Sequence, residues 1–283
     1  MRTENFKSII REALREDRVR QDITTRILIG PSVMARARVI VKEKAVVCGL
    51  EIARQIFREL DKNVQCIFHC REGQEVFKNT KILTLKGRAR ALLSGERTAL
   101  NFLGYLSGIA TNARNYVRAV YPCKVKILDT RKTTPGLREL EKYAVRRGGA
   151  FNHRQSLSDM VLVKDNHRWI CRKRMAVGAM IRQLRRSTRQ KIEFEVDDLQ
   201  EFKEALAAGP DIILLDNMSH RQLRQAVALR NRIKVGKRPL LEASGGITLE
   251  NVRRIAQTGV DRISVGALTH TRRSVDVSME FMD

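Results

Sequence analysis

Ionisable residues follow short apolar runs at several places in this sequence, and their types suggest one shared ligand. Cationic side chains that converge on one site suit a ligand with carboxylates or phosphates, and arginine binds such groups through two parallel hydrogen bonds. A pair of carboxylates suits a divalent metal ion, ribose hydroxyls or a developing carbocation. The cations are Arg131, Lys132, Arg154 and Lys164, the carboxylates are Glu195 and Asp216, and His153 can change its charge near neutral pH.

Two glycine segments near the end of the chain suggest a place for phosphate. Ser244, Gly245 and Gly246 precede a helical pattern, and Gly266 precedes another short turn. Glycine lets the backbone approach a ligand closely, and the amides at a helix N-terminus attract anions. A single pair of glycines is usually a tight turn, but two such segments in the last strand–helix loops favour a phosphate-binding site.

Short apolar strands must position these residues, and from residue 124 onward they alternate with helical patterns. Such alternation indicates βαβ units and a parallel sheet, whose carboxyl ends carry the site in both barrels and open sheets. The pattern leaves those two architectures open. We interpret Asp197, Asp198 and Thr248 as helix N-caps rather than site residues. The predicted strands are Val125–Leu128, Met160–Val163, Ile192–Val196, Ile212–Leu215, Leu240–Ala243 and Ile263–Val265.

The first part of the chain has a different pattern. Up to about Lys86 it predicts an N-terminal helix followed by short β-strands, and a long helix is predicted from Gly95 to about Val120. No apolar run reaches the roughly 20 residues that span a membrane. The first 17 residues lack the pattern of a signal peptide. We therefore expect a cytoplasmic α/β protein.

The five cysteines are irregularly spaced, which in a chain without an export signal predicts reduced thiols. Cys66, His69 and Cys70 lie close together in the sequence and could suggest a metal site. We disfavour that interpretation, because no second pair of Cys or His residues lies near them.

The chain is strongly basic, with 55 Lys and Arg against 31 Asp and Glu, a net charge of +24. This charge raises the alternative of a nucleic-acid-binding protein. The most basic stretch, Arg168–Lys191, contains no acidic residue, but its apolar residues have helical spacing. We favour an amphipathic helix with a solvated basic face, because no zinc-finger, basic-zipper or RNP motif accompanies the charge.

Longer motifs resemble the quinolinate phosphoribosyltransferase family along essentially the whole chain. The most specific is Asp129–Arg138, which reads Asp-Thr-Arg-Lys-Thr-Thr-Pro-Gly-Leu-Arg. The other matching segments are Asp22–Thr25, Glu96–Asn101, Ser107–Thr111, Glu141–Val145, Asn152–Arg154, Val163–His167, Leu215–Met218, Glu242–Ile247 and Ser264–Leu268.

The resemblance implies an N-terminal α/β sandwich domain, residues 1–111, and an open, roughly seven-stranded α/β (TIM-like) barrel, residues 112–283. It leaves open a return of the C-terminal tail to the first domain. The family transfers phosphoribosyl from phosphoribosyl pyrophosphate to quinolinate with loss of carbon dioxide, on the way to NAD. It implies Mg²⁺ as cofactor and a homodimer, or an assembly of dimers, with shared active sites.

The resemblance also assigns roles to single residues. Lys132, Lys164, Glu195 and Asp216 are expected to be catalytic, and Glu195 and Asp216 to serve Mg²⁺ indirectly or through the substrate. The quinolinate carboxylates are expected to contact Arg131, His153, Arg154 and Lys164, with Arg97 contributed by the neighbouring subunit. The 5-phosphate is expected at Ser244, Gly245, Gly246 and Gly266.

Two positions depart from the family pattern. Ala150 and Ser156 stand where the family usually has glycine. If either position needed a left-handed backbone, the loop around Arg154 would shift. A second enzyme class stays open on the same scaffold: a nicotinate phosphoribosyltransferase, or one of the related proteins associated with molybdate transport. A nicotinate enzyme needs to bind only one carboxylate, and the predicted cationic cluster is richer than that.

Overall fold

The computed structural model describes residues 6–171, 175–234, 238–271 and 273–283. The chain forms two compact units. The first consists of Met1–Arg114, Thr134–Gly149 and Arg272–Asp283, and the second of Asn115–Thr133 and Ala150–Thr271. In the described part of the chain, no helix combines the length and the apolar composition needed to cross a bilayer.

The first unit contains an antiparallel sheet of four strands in the order β12, β1, β5, β3, and a small pair formed by β2 and β4. The last strand of the chain therefore lies beside the first. The strands are β1 (Met34–Val41), β2 (Ala45–Val46), β3 (Gln65–Phe68), β4 (Glu75–Val76), β5 (Thr80–Arg88) and β12 (Val277–Met282).

Helices accompany this sheet. The apolar residues of α3 recur at helical spacing, and Ile52, Ile56 and Phe57 are buried. Gly95 of α4 lies so close to α3 that a Cβ there would stand 2.9 Å from a methyl of Leu60. The helices are α1 (Lys7–Glu16), α2 (Ile23–Leu28), α3 (Leu50–Leu60), α4 (Ala89–Ala119, in the first unit as far as Arg114) and α5 (Arg138–Arg147).

The second unit contains a parallel sheet whose six strands follow the order β6, β11, β10, β9, β8, β7. Apart from β6, this is chain order without reversal, as in a barrel; a doubly wound sheet reverses at a switch point. The strands are β6 (Lys126–Leu128), β7 (Val161–Val163), β8 (Ile192–Val196), β9 (Ile212–Asp216), β10 (Leu240–Ser244) and β11 (Arg262–Ser264).

The predicted α/β class is confirmed, and the six parallel strands are consistent with an open α/β barrel. Strands β6 and β7 stand at the two ends of the order, and Phe151 adds a single parallel bridge to Leu128 beside β6. That bridge lies where a seventh strand would stand. All five residues of β8 are buried, as expected for a strand covered on both faces.

Helices follow the strands of the second unit. Asp198 caps α8 as predicted, since its carboxylate accepts hydrogen bonds from two backbone amides of the first turn. Ser219 caps α9 in a capping box with Gln222. The helices are α6 (Asp165–Cys171), α7 (Val177–Ser187), α8 (Leu199–Ala208), α9 (His220–Asn231), α10 (Val252–Ala256) and α11 (Ala267–His270).

Two of the predicted helix caps are wrong. The carboxylate of Asp197 pairs with Arg168 instead of capping α8. Thr248 lies one turn before α10, whose N-cap position is Asn251. The buried guanidinium of Arg168 contacts Glu201 as well, and this charged donor competes successfully with the backbone amides for the carboxylate of Asp197.

The basic stretch from Arg168 divides between α6 and α7, and residues 172–174 lie outside the described part of the chain. In α7 the predicted amphipathic pattern is confirmed. Val177, Met180 and Ile181 are buried, whereas Arg182 and Arg186 are exposed. The basic side chains on α7 therefore form a solvated face.

Candidate active site

A cavity of about 970 Å³ opens at the carboxyl ends of the parallel strands in the second unit. It brings together every predicted site residue except Arg97, which belongs to the first unit. Residues at the carboxyl ends of all six parallel strands contribute, as the barrel topology explains, and His153 and Arg154 are added by the segment before β7. The predicted residues that line the cavity are Arg131, Lys132, His153, Arg154, Lys164, Glu195, Asp216, Ser244, Gly245, Gly246 and Gly266.

Two arginines make one part of this wall strongly positive. The Nε atom of Arg131 is buried and has no hydrogen-bond partner in the described part of the chain. Burial, followed by the like charge of Arg131, lowers the pKa of Arg154. A bound carboxylate would accept a hydrogen bond from this buried donor, and its negative charge would reduce the repulsion between the two guanidinium groups.

The loops that carry these arginines are fixed by buried hydrogen bonds. Asp129 is fully buried, and its carboxylate accepts hydrogen bonds from the backbone amide of His153, at 2.8 Å, and from the side chain of Asn152. The hydroxyl of Thr269 donates to the carbonyl of Lys132 at 2.7 Å. The segment around Arg131 and Lys132 is thereby attached both to the next loop and to α11.

His153 lies between the cavity and a buried acidic pair. Its Nε2 is 3.0 Å from Glu193 and 3.3 Å from Glu242, and its Nδ1 accepts the backbone amide hydrogen of Arg154 at 2.8 Å. The Nδ1 contact places the ring hydrogen on Nε2. Burial lowers the pKa of His153, but the hydrogen bonds to Glu193 and Glu242 outweigh it and raise the pKa to about 9. The amide of Arg154 opposes this rise, because a second proton on Nδ1 would break the hydrogen bond that Nδ1 accepts, and the contact therefore favours the singly protonated ring.

Glu193 and Glu242 are both fully buried, and Glu242 lines the cavity. Burial and the charge of Glu242 raise the pKa of Glu193. Burial also acts to raise the pKa of Glu242, but the hydrogen bond from His153, followed by the charges of His153 and Arg262, lowers it overall. Together with His153 they form the one His–carboxylate group in the described chain whose ligand atoms lie close enough for a metal ion. Arg262, 2.7 Å from Glu242, already supplies the positive charge there.

The predicted catalytic carboxylates differ in their partners. One oxygen of Glu195 lies 3.2 Å from the ammonium of Lys164, and the other accepts the backbone amide of Asp165 at 3.0 Å. Asp216 is half-buried, and its Oδ2 accepts a hydrogen bond of 2.7 Å from the side chain of Asn217. Lys164 and Glu195 therefore form an ion pair on the cavity wall, whereas Asp216 is held by a neutral donor.

These carboxylates fit Mg²⁺ only as a partly substrate-bound ion. Both oxygens of Glu195 already have protein partners, and Asp216 adds one further carboxylate. Mg²⁺ in proteins commonly takes one or two carboxylates, with water and substrate phosphates completing its octahedral coordination. The donor set therefore fits an ion that arrives with a phosphorylated substrate, and not a site built from protein ligands alone.

The glycine segments line another part of the same cavity. Gly245 and Gly246 have φ angles of 90° and 59°, which strongly favour glycine. A Cβ at Gly266 would stand 3.0 Å from the ring of His270 and 3.2 Å from the stem of Lys132. Backbone amides, an ammonium and an imidazole thus surround a space that suits phosphate.

Several lining residues were not predicted from the sequence. His270 and Thr271 line the cavity next to Gly266, and Asn217 lies beside Asp216. Glu193, below the cavity, did have a signal: it stands two residues before Glu195 in a buried strand, so both side chains face the same way. His270 had none, because it ends a helix of only four residues.

Arg97 belongs to the first unit, whereas the residues that line the large cavity belong to the second. It is an exposed residue of α4 and lines a separate cavity of about 370 Å³ in the first unit. That cavity also contains Glu16, Asp17 and Tyr105. The predicted contact of Arg97 with a neighbouring subunit's site stays a prediction.

The two departures from the family pattern leave the backbone unstrained. Neither Ala150 nor Ser156 has a positive φ, while the preceding Gly149 does, at 95°. The hydroxyl of Ser156 lies 2.7 Å from the carboxylate of Asp159 and 2.8 Å from the hydroxyl of Ser158. A Cβ at these two positions is therefore compatible with the backbone of the loop.

Cys66, His69 and Cys70, the metal site that we disfavoured from the sequence, have other contacts in the structure. His69 Nε2 makes a hydrogen bond of 2.7 Å to the hydroxyl of Thr84, and the three residues do not form a metal-ligand cluster in the described chain. Burial raises the pKa of both thiols to about 11, so they stay protonated at neutral pH. All five cysteines are free.

Comparison with known families and structures gives consistent matches over both units. A model of the quinolinate phosphoribosyl transferase N-terminal domain matches residues 22–107, and one of the C-terminal domain of the same family matches residues 109–280.

Individual proteins match at similar length. A probable nicotinate-nucleotide pyrophosphorylase (carboxylating) of Bacillus subtilis is 41% identical over 97% of this chain and 93% of its own. The nicotinate-nucleotide pyrophosphorylase (carboxylating) of Mycobacterium leprae is 40% identical over 97% of this chain and 96% of its own. A solved nicotinate-nucleotide pyrophosphorylase from Francisella tularensis is 36% identical, with a TM-score of 0.91 over 100% of this chain and 98% of that one.

Proposed function

This chain belongs to the quinolinate phosphoribosyltransferase family, and from that membership we propose that it joins quinolinate to phosphoribosyl pyrophosphate. The products are nicotinate mononucleotide, pyrophosphate and carbon dioxide, and the reaction serves NAD biosynthesis. The observation that carries the proposal is the single cavity in which the predicted cations, carboxylates and glycine turns meet.

Quinolinate has two adjacent carboxylates, and the cationic wall of the cavity offers matching groups. The partnerless Nε of Arg131 and the guanidinium of Arg154 would each bind a carboxylate, which relieves their mutual repulsion. Lys164 and a neighbour's Arg97 would add further positive charge. His153 would hold the backbone of Arg154 through Nδ1 and so contribute to the same pocket.

The phosphoribosyl donor would occupy the other side of the cavity. Backbone amides around Ser244, Gly245, Gly246 and Gly266 would bind the 5-phosphate, and Asp216 would bind ribose hydroxyls. When pyrophosphate leaves, positive charge develops at C1 of the ribose, and the carboxylates of Glu195 and Asp216 stabilise it. Mg²⁺ bound with the donor would neutralise the charge of the leaving pyrophosphate.

Attack by the pyridine nitrogen on C1 then gives a pyridinium ring. Carbon dioxide leaves from C2, the electron pair that stays on C2 is stabilised by the adjacent pyridinium nitrogen, and C2 then takes up a proton. Holding two highly charged reactants in contact is the main task of the protein, because in water they repel each other. Lys132, whose stem runs beside Gly266, is the proposed catalytic cation on the donor side. The ion pair with Glu195 would keep the ammonium of Lys164 near the reacting groups.

We further propose a homodimer, or an assembly of dimers, in the cytoplasm. Arg97 supports a shared site, because it is exposed and belongs to the first unit, while the residues that line the large cavity belong to the second. Five free cysteines support a reducing compartment. Size-exclusion chromatography with light scattering, and mixing of an Arg97→Ala protein with a Lys132→Ala protein, would test the shared site. Hybrid dimers should regain activity in one of their two sites.

The decisive experiment offers quinolinate and nicotinate separately to the purified protein, with phosphoribosyl pyrophosphate and Mg²⁺. We expect nicotinate mononucleotide and carbon dioxide from quinolinate alone. A strong preference for nicotinate would replace the proposal by the nicotinate phosphoribosyltransferase alternative. Absence of product from either acid, in a folded protein, would contradict both. Lys132→Ala and Glu195→Ala are the matched inactive controls.

A further inference from the structure

Asn217 has an unusual backbone at the edge of the cavity. Within the described part of the second unit it is the one residue other than glycine with a positive φ, 50°. Side chains with a Cβ rarely adopt this conformation, although asparagine tolerates it better than most. Such a conformation persists where surrounding contacts fix it, and these contacts are found on both sides of Asn217.

On one side, Asn217 connects two neighbouring strand ends. Its side-chain amide donates a hydrogen bond of 2.7 Å to Oδ2 of Asp216, the last residue of β9. Its backbone amide donates one of 2.9 Å to the carbonyl of Ser244, the last residue of β10. The orientation of the Asp216 carboxylate is therefore coupled to the point where the glycine turn begins.

On the other side, Asn217 fills the space next to Gly245. A Cβ at Gly245 would stand 2.1 Å from Oδ1 of Asn217 and 2.5 Å from its Cγ, distances that no side chain tolerates. Gly245 itself has a φ of 90°. The amide plane of Asn217 thus lies directly against the glycine turn, and the two residues fit only together.

We propose that Asn217 is a positioning residue for the phosphoribosyl donor. Its side chain fixes the carboxylate that faces the ribose and, at the same time, the turn that faces the phosphate, so that both ends of the donor meet a preformed site. The inference rests on the proposed function, because it takes Asp216 and the turn of Gly245 and Gly246 as donor-binding groups.

The test replaces Asn217 by glycine and by aspartate. Glycine adopts the left-handed backbone freely but loses both side-chain contacts. Aspartate keeps the shape, but it cannot donate to Asp216 and places a like charge beside it. For both variants we expect the KM for phosphoribosyl pyrophosphate to rise on the order of tenfold, the loss typical of a hydrogen bond to a charged group. The KM for quinolinate should change by less than about twofold, since its groups lie elsewhere in the cavity.

Asn79→Gly is a matched control. Asn79 is a second left-handed asparagine, with a φ of 67°, but it is exposed in the first unit, and its backbone amide bonds to the carbonyl of Val41. The same chemical change at this position should leave both KM values unaltered.

The outcomes separate the inference from the function on which it rests. If the wild-type protein makes nicotinate mononucleotide and Asn217→Gly keeps its KM for the donor, the positioning role is overturned and the function stands. Equal rises in both KM values would also overturn it, because they indicate a general disturbance. Calorimetric binding of phosphoribosyl pyrophosphate with Mg²⁺ gives a readout without turnover. Weaker binding by Asn217→Gly would support the role even in a protein without activity, whereas no binding by the wild type would overturn both.

Discussion

Replacing Arg131 tests whether the proposed quinolinate pocket depends on the geometry of its guanidinium or only on its charge. Arg131→Lys keeps the positive charge but loses the planar guanidinium. Lysine has no donor in place of the buried Nε of Arg131. We expect the KM for quinolinate to rise on the order of tenfold, because one charge-assisted hydrogen bond is lost. Initial rates over a range of quinolinate concentrations measure it. Arg186→Lys, on the exposed face of α7, is the control, and an equal KM for both variants would contradict the role of Arg131.

Ser156→Gly should leave kcat/KM for quinolinate unchanged within about twofold, the range of a surface substitution. The hydroxyl of Ser156 contacts Ser158 and Asp159, its backbone is not left-handed, and the residue does not line the cavity. Steady-state assays of both proteins decide the point. A loss of more than tenfold would show that Ser156 has become part of the site.

Single residues were predictable where a strand precedes them. Arg131, Lys164 and Asp216 each follow an apolar run, and parallel strands bring their carboxyl ends to one edge, so their convergence in one cavity follows from topology. Asn217 was not predictable in the same way, because its role depends on a backbone angle and on contact with Gly245, which approaches from another strand. Sequence shows the residue but not the conformation.

At the scale of elements, Asp22 is the residue whose replacement tests a helix boundary. Its carboxylate caps α2 by accepting a hydrogen bond of 2.9 Å from the amide of Thr25, and it accepts a second from the hydroxyl of Ser94. Asp22→Ala should lower the free energy of unfolding by about 0.5–2 kcal/mol, the usual cost of losing a cap. Urea denaturation measures the change, and Asp22→Asn, which can still cap, should lose less.

The same cap predicts a dependence on pH. Hydrogen bonds from Thr25, and a further one from Ser94, hold the pKa of Asp22 below its ordinary value of 3.8. A carboxyl whose pKa is lower in the folded state stabilises the protein above the unfolded-state pKa, and this stability is lost as the pH falls through the folded-state pKa. The difference in unfolding free energy between wild type and Asp22→Asn should therefore shrink as the pH is lowered below about 4. A difference that grows with acid would contradict this.

Helices and strands with a clear hydrophobic pattern were predicted well. A strand that is held by pairing with a residue range far away in the sequence was not. The six strands of the second unit agree with the apolar runs to within a residue or two, because a strand buried on both faces is apolar throughout. Strand β12 left no such signal. It is held by its pairing with β1, where Arg38 meets Glu280, 242 positions along the chain.

At the scale of the whole molecule, the net charge of +24 should affect the rate at which substrates bind. Both proposed substrates are anions, so a positive field raises the rate at which they meet the protein. We expect kcat/KM to fall as ionic strength rises, with little change in kcat. Salt weakens the long-range attraction that brings the substrates to the protein more than it weakens the short-range contacts of bound substrates. Assays in increasing KCl at constant Mg²⁺ would measure this. A parallel fall of kcat and kcat/KM would contradict it.

The nucleic-acid alternative is tested at the same scale. The basic face of α7, with exposed Arg182 and Arg186, is where such binding would be seen. We expect no binding of duplex or single-stranded DNA at moderate salt. Binding through this face would weaken steeply with salt, as counterion release requires, and would be reduced by Arg182→Glu and Arg186→Glu. Tight binding that survives moderate salt would contradict our interpretation of a merely solvated face.

The choice between barrel and open sheet could not be made from apolar runs, since both have the same βα alternation. The strand order decides it, because β6 lies next to β11 and not next to β7. That pairing depends on contacts between residues far apart in the chain, such as Ile127 opposite Ile263. The motif resemblance supplied the architecture that local patterns left open.

The pairing of β12 with β1 also constrains how the protein is made. Residues 277–282 follow the whole of the second unit along the chain, yet they form an edge of the first unit's sheet. During synthesis, which proceeds from the N-terminus, that sheet stays one strand short until the second unit has left the ribosome. In the meantime β1 exposes an unpaired edge, a template for association with other nascent chains. The first unit of the chain is therefore the last to be completed, although its other strands are made first.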